Sequence, residues 1–247
     1  MKADPNAQLK LLDLQAVDAE VDQLRHRLGH LAEESVIKEL TAERGRVLGQ
    51  LRDRQIVVDD LTAAQLKADA DVEQVKTRHK RDRDRMDAGL IANPKDLERM
   101  QHELETLQRR ISVLEDEELE VMEQLEEAQT ALTALQQQIV EIDDKLEVVT
   151  AARDKQAGEI NAELTAIGTR RDPLVAEVPE DLLALYERLR AQKGGVGAAA
   201  LRARQCGGCM LSLDPAELAR VKALPEDEVV RCQECQRILV RTAESGL

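Results

Sequence analysis

A mainly α fold is predicted for this chain: a long antiparallel coiled-coil hairpin, followed by a small C-terminal module of short β-strands around four cysteines. Three observations predict it. Two apolar runs of similar length step by threes and fours on either side of one Asn-Pro turn. The 247 residues include no Phe, no Trp and a single tyrosine, Tyr186, so aromatic rings do not fill a globular core. The only four cysteines form two CxxC pairs late in the chain.

The first arm, residues 7–88, opens on Leu14, Val17, Val21, Leu24, Leu28 and Leu31. Alternating steps of three and four keep one stripe of a helix against a partner. The seam loses phase near Glu34-Ser35, where a bend is expected. It resumes at Ile37 and runs to Met86, interrupted by Arg44, Arg54, Gln65, His79 and Asp82. Gly89-Leu90-Ile91-Ala92-Asn93-Pro94 breaks it, because a residue before proline leaves the helical region and proline suits the first turn of a new helix. The second arm, residues 95–172, keeps the rhythm from Leu97 to Val149 with Glu118 as its one polar seam residue. A pattern this long without internal caps marks a coiled coil. The arms hold 82 and 78 residues, about 115–120 Å each at about 1.5 Å per residue. Equal arms around a short turn favour one chain folded back on itself over a parallel dimer of separate helices. Facing positions should then sum to about 183, which sets Val72 by Ile111, Leu51 by Leu132 and Leu40 near Ile142.

The balance of 35 Lys and Arg against 49 Asp and Glu gives a net charge of −14. It argues against bulk electrostatic binding to nucleic acid, and the missing aromatics argue against stacking on single strands. Glu115 to Glu147 holds 12 acids and one Lys, whereas Lys76 to Arg99 holds eight Lys or Arg and five acids. Both stretches read first as solvated faces laced with i,i+3 and i,i+4 pairs. The basic tract Lys76 to Arg85 could also touch phosphate or an acidic protein. No apolar stretch approaches the roughly 20 residues of a membrane span, and the first residues carry no apolar segment of the signal-peptide kind. With no cysteine outside the pairs, a reducing cytoplasm is the expected location and no membrane contact is expected.

Pro173 is expected to end the long helix. Residues 173–193 then read as a connector whose short helix, Glu180 to Arg190, begins after Pro179 and shows Leu182, Leu185, Tyr186 and Leu189 on its apolar face. Gly194-Gly195 ends it. Residues 194–247 read as a zinc ribbon. Val196 to Arg204 is a strand of small residues, Asp214-Pro215 caps a helix over 216–223, and Glu228–Arg231 and Arg237–Arg241 are strands flanking the second cysteine pair. Cys206-Gly207-Gly208-Cys209 and, 22 residues later, Cys232-Gln233-Glu234-Cys235 each place two thiolates on a tight turn. Together they supply a tetrahedral set for one structural Zn²⁺. Redox dithiols are the alternative, but no thioredoxin-like βαβ pattern surrounds either pair. Four thiolates leave the metal no open position, so the site holds structure and activates no water. Arg202, Arg204, Arg231, Arg237 and Arg241 either offset the charge of this centre or contact a partner or nucleic acid. Seven basic and seven acidic residues make the module neutral, so a basic face requires local clustering.

Asn93-Pro94-Lys95, Leu114-Glu115-Asp116-Glu117, Leu185-Tyr186-Glu187-Arg188-Leu189-Arg190 and the two cysteine motifs carry a resemblance to a known family. The chain resembles the bacterial C4-type zinc-ribbon proteins with an N-terminal coiled-coil hairpin, along essentially its whole length. The resemblance implies a hook-like rod with a ribbon at its base and a non-enzymatic role. It further implies a part in gene expression, through an alternative sigma factor or a messenger RNA. Two departures stand out. Family members often carry Gly after the second cysteine of each knuckle, where Met210 and Gln236 stand here; an αL backbone there costs about 1 kcal/mol each. Val240 stands where relatives often carry Tyr, which removes an aromatic contact.

Other motif-like fragments carry no chemistry. Gly195-Val196-Gly197 follows a helix, so it lacks the strand a dinucleotide fingerprint requires. His102-Glu103 lacks the second metalloprotease histidine, since position 106 is Thr. His26 and His30 are spaced to share a metal, but no further ligand is aimed there. No nucleophile setting is recognisable, and no enzyme activity or small-molecule substrate is expected. The expectation is a cytoplasmic zinc-stabilised adaptor whose partner is a protein of the transcription machinery; the alternative is an RNA- or DNA-binding regulator acting through the ribbon.

Overall fold

Helices dominate the computed structural model, which describes residues 1–247. In chain order they are α1 (Pro5–Leu28), α2 (Ala32–Asp87), α3 (Pro94–Ala176), α4 (Glu180–Gln192) and α5 (Pro215–Ala223). The strands are β1 (Ala198–Arg202), β2 (Gln205–Cys206), β3 (Val230–Arg231) and β4 (Ile238–Val240). The chain divides into two units, one of Ser35–Thr150 and one of Met1–Glu34 with Ala151–Leu247.

The Ser35–Thr150 unit is the antiparallel pairing of α2 with α3. Asn93 starts α3 by accepting a hydrogen bond from the Lys95 N–H at 3.1 Å, and Pro94 occupies the first turn. The heptad stripe is buried: Val47, Val58 and Val72 from α2, and Leu104, Ile111 and Leu125 among those from α3. Val58, Leu125 and Ala128 form one cluster edged by Leu61 and Leu132. Two interruptions of the seam are satisfied by charge. Arg44 reaches Asp143 across the pair at 2.6 Å, and buried Asp82 lies 3.8 Å from Arg78 and 3.4 Å from Arg81. Register departs from the simple counting rule, which puts position 139 opposite Arg44 and position 107 opposite Lys76. Their partners are Asp143 and Glu115. At these two pairs the partner lies four and eight residues beyond the counted position, while Val58, Leu125 and Ala128 share one apolar cluster.

In the other unit, the bend falls at Gly29-His30-Leu31 and not at Glu34-Ser35. Glycine is a poor helix former, and Glu33-Glu34 suit the first turn of α2, where the helix dipole favours acids. Pro173 does not end α3, which continues to Ala176. The proline forfeits one backbone bond, and the last turn is held by Leu174 and Val175 packing on the core below it. Val17 and Leu24 of α1 pack with Ile160 and Ile167 of α3.

The sheet order is β2-β1-β4-β3. β1 runs parallel to β4 with Ala199 beside Leu239, and antiparallel to β2, while β3 is antiparallel to β4. One face of this sheet packs on helices: Ile238 and Val240 share a core with Leu11, Leu14, Leu182 and Tyr186. Each large apolar side chain buried there contributes about 1.5–3 kcal/mol. The other face closes over the cysteines through Leu201, Val221 and Leu239. All three strands expected from the sequence are shorter than predicted, as β1, β3 and β4, and β2 is an additional two-residue strand paired with β1.

Candidate metal centre

Each cysteine pair sits in a turn built the same way. The Cys206 N–H donates to Leu211 O at 3.0 Å, and the Met210 N–H returns to Cys206 O at 2.8 Å. The second knuckle repeats this with Cys232 N–H to Arg237 O at 3.0 Å and Gln236 N–H to Cys232 O at 2.9 Å. Met210 and Gln236 have φ of 61° and 63°. The left-handed backbone expected at these positions is therefore present without glycine. Gly208 meets a different demand: a Cβ there would lie 2.8 Å from Arg237 Cδ and 3.1 Å from Ala199 Cβ.

The four Sγ atoms all lie within 4.8 Å of one another. Cys206 and Cys235 are 3.8 Å apart, and Cys209 and Cys232 are 3.9 Å apart. A tetrahedral Zn²⁺ with Zn–S of about 2.3 Å separates its sulfurs by about 3.8 Å, so the donor set fits that ion without rearrangement. Cys206 and Cys232 are buried, Cys209 and Cys235 half-buried. As free thiols they differ. Burial pushes Cys206 up to about 12. Burial also pushes Cys235 upward, but the Arg237 backbone N–H and guanidinium, with the Cys232 and Cys209 thiols, outweigh it and bring the group down to about 7. Thiolates so crowded call for a cation.

The five arginines divide into two kinds. Arg237 donates to Val196 O (3.0 Å), Gly208 O (3.1 Å) and Lys193 O (2.7 Å), which ties the first knuckle to the end of α4. Arg241 donates to the carbonyls of Val221, Leu224, Pro225, Glu226 and Glu228, clamping the end of α5 to the approach to β3. These two brace the ribbon internally, their guanidinium N–H groups taken up by backbone carbonyls. Arg202, Arg204 and Arg231 are exposed. Arg202 pairs with Glu244 at 3.1 Å, Arg204 donates to Gly246 O at 3.3 Å and Arg231 to Gln236 O at 3.0 Å.

Other residues that set the site were missed from sequence. Buried Glu217 accepts from Arg220 and from Gln233 inside the second knuckle, so α5 steadies that turn. Gln15 of α1 accepts from the Gly197 N–H at 2.7 Å and donates to Gly195 O at 2.9 Å. Buried Asp18 takes the Tyr186 hydroxyl at 2.7 Å and Arg171 at 2.7 Å, with Arg190 at 3.5 Å. Burial, reinforced by that hydrogen bond, raises the Tyr186 pKa far above its ordinary value. The signal available was Tyr186 itself, since a lone buried tyrosine seeks a partner for its hydroxyl. His26 and His30 stack at 4.1 Å on an exposed turn, His30 being engaged with the His26 carbonyl.

A helical hairpin followed by a four-thiol ribbon defines a class of protein, and the comparisons name the family. The chain belongs to the family of the CT398-like coiled coil hairpin domain, whose model matches residues 14–194, and a C4-type zinc ribbon domain matches residues 205–239. An uncharacterized protein of Mycobacterium tuberculosis (strain CDC 1551 / Oshkosh) is 36% identical over 241 residues, covering 98% of both chains. One from Mycobacterium leprae (strain TN) is 29% identical over 225 residues, 88% of this chain and 93% of that one. A solved structure from Mycobacterium smegmatis is 40% identical with a TM-score of 0.84, covering 98% of this chain and all of that one. The structure of CT398 from Chlamydia trachomatis, 16% identical with a TM-score of 0.70 over 96% and 98% of the two chains, shares the fold.

Proposed function

We propose that this protein is a cytoplasmic, non-enzymatic adaptor. Cys206, Cys209, Cys232 and Cys235 hold one structural Zn²⁺, and the ribbon docks a protein of the transcription machinery. The family resemblance points to an alternative sigma factor as the partner to test first. One observation carries the docking role: the first knuckle turns Met210 and Leu211 outward, 71% and 51% exposed. Backbone hydrogen bonds from the Cys206 N–H to Leu211 O and from the Leu213 N–H to Arg204 O bring the exposed Arg204 into the same part of the ribbon as this turn. A protein surface that is apolar with an acidic rim fits it.

The test is binding of the zinc-loaded protein to purified sigma factors from its own host, by interferometry, with and without Met210→Ser and Leu211→Ser. Binding that weakens at least tenfold in the double variant supports the reading. No binding at about 100 μM, or binding indifferent to both changes, refutes it.

The nucleic-acid reading rests on exposed Arg202, Arg204 and Arg231. With Arg237 and Arg241 used internally, few cations remain to neutralise phosphates. Gel shifts at low salt that vanish in the triple Arg→Gln variant would favour it, and the affinity would fall steeply with salt.

A further inference from the structure

The exposed side of the α2/α3 hairpin carries a charge pattern that is its own complement. Arg99, Val113, Glu127 and Ala134 of α3 recur at multiples of seven, so they fall on one side of the helix. Val57 and Arg85 of α2, four heptads apart, likewise share a side. The two sides coincide, because Val57 and Ala134 line one shallow groove of about 540 Å³ with Ala131 and Leu135. Glu123, Glu126 and Glu127 edge its continuation over Ala131 and Ala134. At the turn end the surface is mainly basic: Lys80, Arg81 and Arg85, with Asp84 the one acid among them, surround Leu90, which is 71% exposed. Between the two lies Val113, 46% exposed.

We infer that this side of the hairpin is an isologous interface, on which a second copy of the chain lies antiparallel about a two-fold axis at Val113. The spacing decides the occupant. Arg99 and Glu127 each stand 14 residues from Val113, so the symmetry sets Arg99 of one copy against Glu127 of the other, twice over. Ala134 stands 21 residues from Val113, and the position opposite it is 92, inside the turn that carries Leu90. The exposed leucine of one copy therefore meets the alanine-lined groove of the other, with the basic turn over the glutamates. From position 92 to Ala134 the overlap spans 42 residues, about 63 Å. Two helices wide, it buries about 1,800 Å² in total, within the range of a specific interface. A basic amphipathic helix from another protein would fit the groove too, but it would leave the exposed Val113 and Leu90 unexplained.

Sedimentation equilibrium of the zinc-loaded full chain tests this. In about 50 mM salt the wild type forms dimers at tens of micromolar, and about 500 mM salt weakens them at least tenfold. Arg99→Glu and Glu127→Arg each break two pairs and add two repulsions, weakening the dimer about ten- to thirtyfold. Combined in one chain they restore it, as does a 1:1 mixture of the two single variants. Val113→Cys cross-links copy to copy under mild oxidation, whereas Val148→Cys, on the same side five heptads away, does not. A wild type that stays monomeric at 100 μM in low salt overturns the proposal. So does a double variant no stronger than the singles, or equal cross-linking at both cysteines.

Discussion

In the sequence Arg241 reads either as offsetting the metal-site charge or as a contact residue; in the structure it braces five backbone carbonyls, and bracing and contact separate experimentally. Replacing it with Met keeps much of the stem and removes the guanidinium. Five carbonyls lose their donor, and those of Val221, Leu224 and Glu228 are partly buried. Net charged hydrogen bonds contribute about 1.5–3 kcal/mol each. The exposed carbonyls rehydrate and the 3.4 Å bond to Val221 is weak, so a loss of about 2–4 kcal/mol follows. Arg204→Met removes one exposed bond of 3.3 Å and should cost under about 0.5 kcal/mol. Tyr186 is the only tyrosine and there is no tryptophan, and its ring lies in the core beside Val240, next to Arg241. Intrinsic tyrosine fluorescence in a urea titration of the zinc-loaded protein therefore reads this unit directly. Equal midpoints for the two variants would refute the brace assignment, as would an Arg241→Met effect confined to partner binding.

Three further outcomes are expected. Cys232→Ser should release zinc, measured by elemental analysis, and change Tyr186 fluorescence while most of the helical circular dichroism persists; loss of nearly all helix would show that the α2/α3 pair depends on the metal. Met210→Gly should raise zinc affinity up to about fivefold in a chelator competition, because it relieves a φ of 61° on an exposed side chain, with part of the gain of about 1 kcal/mol cancelled by glycine's unfolded-state entropy; weaker zinc binding would contradict the strain argument. Glu118 is raised above its ordinary value by a hydrogen bond with Asp69, then by burial and the Asp69 charge. The folded state thus holds this proton more tightly than the unfolded one. Its stabilisation is complete below the ordinary carboxylate range and is lost as pH rises through the raised value. Asp143, lowered by Arg44, acts in the opposite sense. Glu118→Gln should therefore flatten the pH dependence above the ordinary carboxylate range and raise the urea midpoint at neutral pH; an unchanged profile would remove Glu118 from the account.

What the sequence made legible is what repeats or what is local. Heptads from Leu97 to Val149 are periodic, Asn93-Pro94 is a local stop, and CxxC spacing is a local ligand geometry. The αL positions at Met210 and Gln236 came from the family resemblance, whose members often carry glycine there. What stayed hidden depends on distant partners. Nothing near Pro173 says that Leu174 and Val175 will find a core able to hold one more turn of α3. Nothing near Arg237 or Arg241 separates a solvated guanidinium from one that caps backbone carbonyls across the chain.

The metal centre is tied to residues well beyond its ligands. Asp18, from α1, binds Tyr186 of α4 and Arg171 of α3, and the Tyr186 ring packs in the core that includes Ile238 and Val240 of β4. Gly197 admits no side chain, since a Cβ would meet Tyr186 O at 2.6 Å. β4 follows the second knuckle directly, and Arg237 joins it to the first. A bound metal would fix the strand against which α1 and α4 pack, so its stabilisation would spread through the polar cluster at Asp18 to the end of α3 and would not be confined to the turns that hold the ion.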